Sequence, residues 1–211
     1  MLFGVIGAIW TVVQIIEKVR DLALPLGGDG KIVEADETYF GKEAVQHSRN
    51  KYLPPPTKSG RSGPAGKRAI VALVERGGRV RTFHPAVANK EAVTKIVTEN
   101  VARESRLHTD ESRLYAGMDR MMATHEAVKH SWGEYVRDDV HTNSAEGYFS
   151  IFKRGMRGIY QHCAEKHLHR YLAEYDFRYN HRIRLGFDDA TRAEEAIKGA
   201  EGKRLYYRQP N

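Results

Sequence analysis

The chain has 211 residues, with 34 Lys and Arg against 27 Asp and Glu, for a formal charge of +7. Its single cysteine, Cys163, excludes an internal disulfide framework and a CxxC zinc site and fits a reducing cytoplasm. The length suits one well-buried domain, and the basic balance points to a polyanionic partner, nucleic acid first and an anionic membrane surface second.

Residues 1–16, MLFGVIGAIWTVVQII, are the hydrophobic block of the sequence. The block is short for a membrane span, contains Thr11 and Gln14, and lacks the basic flank and small-residue cleavage site of a signal peptide. No membrane partner is therefore expected. Continued by EKVRDLAL, it reads as an amphipathic N-terminal helix over 1–24 that packs on the domain or on a second subunit. PLGGDGK (25–31) is a turn-rich linker. KIVEADETYFG (31–41) is strand-like, with Asp36 and Glu37 in its middle, and a carboxylate inside a strand is costly unless it is paired or holds a metal.

Residues 41–68 change character. Pro54, Pro55, Pro56 and Pro64 alternate with Arg49, Lys51, Lys58, Arg61, Lys67 and Arg68, a flexible basic loop suited to contact with a phosphate backbone. AIVALVER (69–76) is an apolar strand, Gly77-Gly78 a hairpin turn, and RVRTFHPAVA the next strand, so the first three strands form an antiparallel meander. Residues 89–103 read as a helix capped by Asn89, with Val93, Ile96, Val97, Asn100 and Val101 inward. SRLHTDESRLYAGM (105–118) carries a short strand with Asp110 just past it. In HEAVKHSWGEYVRDD (125–139), Val128, Trp132, Tyr135 and Val136 give a further short strand.

HTNSAEGYFSIFKRGMRG (141–158) is the most patterned stretch. Thr142 and Asn143 are N-cap residues, and Glu146 is placed for a capping box. Ala145, Phe149, Phe152, Met156 and Ile159 form an apolar stripe. The opposite face carries Asn143, Glu146, Ser150, Lys153 and Arg157, and Glu146 and Lys153 stand nearly one above the other. A second helix over 165–182 turns Leu168, Leu172, Tyr175 and Tyr179 inward. The tail from residue 184 is polar, with a weak helix near 190–200.

A three-strand meander followed by two short strands alternating with helices is the order of an α/β, RNase H-like mixed sheet flanked by helices. Such a sheet sets an acid of the first strand beside one of the fourth, with a later helix supplying a third. Here these are Asp36, Asp110 and Glu146. Hard oxygen ligands from separate elements suit a pair of Mg²⁺ or Mn²⁺ ions and phosphoryl transfer on DNA, with Lys153 placed to hold a phosphate or orient the nucleophile.

Three blocks carry a family resemblance: VEADETYFGKE (33–43), LHTDESRLY (107–115) and HSWGEYVRDDVHTNSAEGYFSIFKRGMRGIYQHCAEKHLHRYLAEYDFRYNHR (130–182). Over about residues 25–183 the chain resembles the ISXO2-like transposases of the IS1595 group, a DDE-type family. The resemblance implies an RNase H-like catalytic domain over 25–183 that cuts and joins DNA 3′ ends. It implies Asp36 and Asp110 as metal ligands, DNA at element ends and target as partner, and a homo-oligomer that synapses two ends, located in the cytoplasm at the nucleoid. For the third ligand it offers Asn143, through the N-x-x-E-G motif. The chemistry of Mg²⁺ favours the carboxylate of Glu146, and both remain open. The family's Cys-rich zinc ribbon has no counterpart in this sequence, and residues 4–20 resemble the end of its helix-turn-helix. Two other readings are a stand-alone RNase H-like nuclease and a catalytically silent DNA-binding remnant.

The cations expected to meet DNA are Lys153, Arg154 and Arg157 on the helix and Lys58, Arg61, Lys67 and Arg68 in the basic loop. His108, His125, His130 and His141 lie near the acids in sequence without zinc-like spacing. Trp132 and Cys163 read as core residues, and Tyr160, His162, His167, His169 and Arg170 as packing or phosphate contacts.

Overall fold

The computed structural model describes residues 24–41, 67–128, 139–161 and 163–198. Apart from Leu24, the expected N-terminal helix lies outside them. So do positions 42–66 of the basic loop, including Lys58 and Arg61, and also Trp132, His130 and His162.

Five strands form one sheet in the order β3-β2-β1-β4-β5. They are β1 (Ile32–Phe40), β2 (Arg68–Glu75), β3 (Val80–Phe83), β4 (Arg106–Asp110) and β5 (Thr124–Val128). β1, β2 and β3 pair antiparallel, as the hairpin signals predict. β4 lies parallel to β1, and β5 parallel to β4. A parallel return needs a crossover, which helix α1 (Lys90–Asn100) provides. The Asn89 side chain caps α1 by accepting from the Ala92 amide at 2.8 Å. This meander with two parallel strands added is the RNase H-like mixed sheet. Among the described residues, no helix is long and apolar enough to cross a membrane.

The strand period of two divides the core. On one face, Val33, Ala35, Val71, Leu73 and Leu107 pack with Val93 and Val97 of α1. On the other, Ile70, Ala72, Val74 and Val80 meet α2 (Asn143–Gly155) and α3 (Leu168–Asn180) through Ala145, Phe149, Phe152, Leu168, Leu172 and Tyr175. A further helix, α4 (Asp189–Lys198), has no buried residue.

The structure departs from the apolar stripe expected for α2 at two positions. Tyr148 is buried, because its hydroxyl reaches Asp176 Oδ1 of α3 at 2.7 Å. Ile159 is 72% exposed, because the helix widens into a π turn over Met156–Tyr160 and ends at Gln161, whose φ is +51°. Cys163 lies beyond that end and packs, half-buried, against the α2–α3 core. Gly155 is needed where the end of α2 meets α3, since a Cβ there would collide with the Tyr175 hydroxyl.

Asp176 joins three elements. It is buried, and its carboxylate accepts from the Thr82 amide at 2.9 Å, the Thr82 hydroxyl at 2.9 Å and the Tyr148 hydroxyl. Asp176→Ala leaves these buried donors without their acceptor and is expected to cost about 3 kcal/mol, roughly 6–12 °C in a chain of this size, measured by thermal unfolding. An unchanged melting temperature contradicts this account of how α2, α3 and β3 are held together.

Candidate active site

Asp36 lies on the same face of β1 as α2. In the parallel ladder Glu34 stands opposite His108, so two residues further on Asp36 comes beside Asp110, the last residue of β4. Glu37, the next residue of β1, approaches the same point from the other side of the strand. Its Oε1 accepts from the Ser112 hydroxyl at 2.9 Å. The Asp110 Oδ1 accepts from the Ser112 amide at 3.0 Å, and the Asp36 Oδ1 from the Glu37 amide at 2.8 Å. One carboxylate oxygen each from Asp36, Glu37 and Asp110 lies within 4.8 Å of the other two.

Three carboxylates this close repel. Burial, then the charges of Asp110 and Glu37, push the Asp36 pKa from 3.8 up to about 8, against a smaller opposing effect of its bond from the Glu37 amide. Burial and the Asp110 charge also raise Glu37. The Tyr115 hydroxyl beneath is raised by burial and by the same carboxylates. The buried Glu37 Oε2 has no hydrogen-bond partner. Hard oxygens, mutual repulsion and an orphaned buried oxygen together fit a divalent cation of the Mg²⁺ or Mn²⁺ kind.

The two other candidate ligands stand on the first turn of α2. Glu146 is exposed and outside the three-oxygen group, yet its charge reaches Asp36. Its Oε1 is 3.5 Å from the Thr142 hydroxyl, and its amide donates to the Thr142 carbonyl at 3.0 Å. Asn143 is exposed, with its amide directed at His141 Nδ1 at 3.4 Å. Two turns along α2, the Lys153 Nζ lies 5.9 Å from the Phe149 ring centre. Burial lowers the Lys153 pKa, Arg157 and Lys67 push it the same way, and Asp36 opposes them. Lys153 thus stands between the acidic group and a basic edge. Arg154 and Arg157 are exposed on that edge.

Arg68 corrects the expectation for the basic loop. It opens β2 with only 8% of its side chain exposed, donates to the Cys163 carbonyl at 2.8 Å and pairs with Glu165 at 3.9 Å. Its guanidinium faces the protein interior because the strand begins at that residue.

Among the described residues, no histidine joins the carboxylate group. His108 is fully buried, with Nδ1 at 3.3 Å from Arg76 and Nε2 at 3.6 Å from Glu126, and burial first, then Arg76 and Arg106, lower its pKa. His125 bonds Thr109 at 3.0 Å. His141 lies 3.2 Å from Arg76.

The family model described as the ISXO2-like transposase domain matches residues 25–180. An uncharacterized protein in transposable element ISH50 of Halobacterium salinarum is 34% identical over 137 residues, which are 60% of this chain and 46% of that relative. The chain therefore spans less than half the length of the curated relative it matches. Among solved structures, the Mos1 strand transfer complex is similar at 12% identity and a TM-score of 0.37, covering 92% of this chain and 58% of that one. A pre-cleavage Mos1 transpososome gives 8% and 0.26, covering 94% and 63%. Scores this low carry no inference, and the fold rests on the strand order.

Asp36 binds its proton more tightly folded than unfolded, so without metal its contribution to stability is full below about pH 4 and is lost as pH rises through about 8. Asp36→Asn is expected to raise the metal-free melting temperature near pH 8 by a few degrees, on the order of 1 kcal/mol, and to abolish the upward shift that Mn²⁺ produces in the native protein. Scanning fluorimetry with and without Mn²⁺ checks both. A variant that melts lower and still responds to Mn²⁺ contradicts the site.

Proposed function

The chain belongs to the ISXO2-like transposase family, and from that premise we propose that it cuts the 3′ ends of an insertion sequence and joins them to target DNA by metal-dependent phosphoryl transfer. The observation that carries this reading is the approach of Asp36, Glu37 and Asp110 to within 4.8 Å where β4 ends beside the middle of β1. Asp36 and Asp110 hold the metal, and a Glu37 carboxylate oxygen lies within the same 4.8 Å. Glu146, or Asn143 by its carbonyl, closes the site from α2. Mg²⁺ or Mn²⁺, two ions in the expected arrangement, would supply the Lewis acidity that activates the attacking hydroxyl and stabilises the leaving oxygen.

The protein's own residues bind and orient the DNA. Lys153 contacts a phosphate next to the scissile bond, and Lys67, Arg154 and Arg157 continue the track along the backbone. Two chains synapse two element ends.

The test is a nicking and strand-transfer assay on element-end DNA with Mg²⁺ or Mn²⁺. Asp36→Asn and Asp110→Asn are each expected to lower the rate more than ~100-fold, since losing a metal ligand exceeds the effect of losing its support. Glu146→Gln is expected to lose more than Asn143→Ala, and the reverse order makes Asn143 the third ligand. A native protein that binds ends without nicking or joining them is a silent remnant, and one that nicks without joining is a nuclease.

Binding to DNA in the absence of metal tests the track separately. Arg154→Ala and Arg157→Ala are each expected to reduce the slope of log affinity against log salt by about one, uniformly across sequences. Slopes equal to the native protein's remove α2 from the DNA interface.

A further inference from the structure

Glu34 is the fully buried carboxylate of β1, two residues before Asp36 on the same face. Its Oε2 accepts from the amides of Ser144 and Ala145 at 2.7 and 3.2 Å, and its Oε1 from the Ser144 hydroxyl at 3.0 Å. Arg76 Nε pairs with the same Oε1 at 2.9 Å, and His141 Nδ1 lies 3.4 Å from it. Arg76 also donates to the carbonyls of Asp139 and His141 at 2.8 and 3.2 Å, so it holds the chain that leads into α2. Thr142, the N-cap residue, makes no side-chain capping bond. The first turn of α2 is therefore capped by a carboxylate from the sheet, which satisfies orphan amides and faces the positive end of the helix dipole.

The consequence is geometric. Along a strand, alternate residues stand about 6.6–6.8 Å apart, so Glu34 and Asp36 are separated by one such step. The amides that Glu34 holds belong to the residues between Asn143 and Glu146. We propose that Glu34 is a positioning residue, which ties the helix bearing Asn143, Glu146 and Lys153 to the strand bearing Asp36 and so sets the spacing between the two halves of the site. The proposal rests on the functional reading above. The Arg76 pair makes the buried charge tolerable, and the same pair orients the carboxylate toward the helix.

Glu34→Gln keeps the size of the side chain but turns an NH₂ toward donors. Ser144→Ala removes one bond and leaves the amides capped, so it gives a milder second variant if the first folds poorly. Both are to be examined well below their melting temperatures. Amide hydrogen exchange is expected to rise at least about tenfold at Ser144–Gly147 in Glu34→Gln, with the exchange of β1 and of Phe152 unchanged. The Mn²⁺-induced thermal shift is retained, because Asp36 and Asp110 are intact.

In the strand-transfer assay kcat falls about ten- to a hundredfold with little change in the KM for DNA. Glu34→Gln combined with the variant of whichever α2 residue proves to be the third ligand, Glu146→Gln or Asn143→Ala, loses less than the product of the two single losses, because Glu34 acts through that helix. Exchange that rises evenly over the whole domain, a rate equal to the native one, or losses that multiply in the double variant overturns the proposal. If the native protein proves inactive the functional reading fails, while unchanged exchange at Ser144–Gly147 sinks the positioning role on its own.

Discussion

The parallel pairing of β4 with β1 is the constraint from which the site follows. A parallel return through α1 lays β4 alongside the first half of β1, and the register Glu34↔His108 sets Asp110, where β4 ends, beside Asp36 in the middle of β1 without further adjustment. The apolar residues that enforce the register, Val33, Ala35 and Leu107, all face α1. That arrangement frees the opposite face of the same strands for Glu34, Asp36, His108 and Asp110. A slip of one residue would bury the acids against α1 and turn the core outward.

The arrangement carries an electrostatic burden. Burial and the Asp110 charge raise the proton affinity of Asp36 and Glu37 in a half-buried place, and the orphaned Glu37 Oε2 leaves the group without its full set of partners. Stability is supplied elsewhere, by buried polar groups with full partnerships. Asp176 joins α2, α3 and β3, and Glu34 with Arg76 joins β1 to the first turn of α2. Fully bonded carboxylates thus surround an under-bonded cluster, as expected where a cation completes the site.

Much of this was legible in the sequence. Strand alternation, the Gly77-Gly78 turn and the Asn89 cap pointed to the meander, and the acids stood out because a strand disfavours a carboxylate such as Asp36 and because Asp110 falls just past a short strand. Glu34 was not legible, because its partners are distant: Arg76 lies 42 residues away and Ser144 110. A signal was nonetheless present, since Glu34 and Asp36 share the face of one strand. Glu37 was noted beside Asp36 but not placed at the site, because its approach to Asp110 goes with the Ser112 turn after β4. Arg68 was grouped with the loop cations because its neighbours are basic, whereas its place at the head of β2 turns it inward. Ile159 fitted a helical stripe that the π turn at Met156–Tyr160 interrupts.

The central claim is that the parallel register builds a divalent-metal site from Asp36, Glu37 and Asp110. Anomalous scattering from crystals soaked in Mn²⁺ tests it most directly. The account predicts a manganese peak coordinated by carboxylate oxygens of Asp36 and Asp110. Ordered manganese bound only elsewhere, with this carboxylate group unchanged, would contradict it.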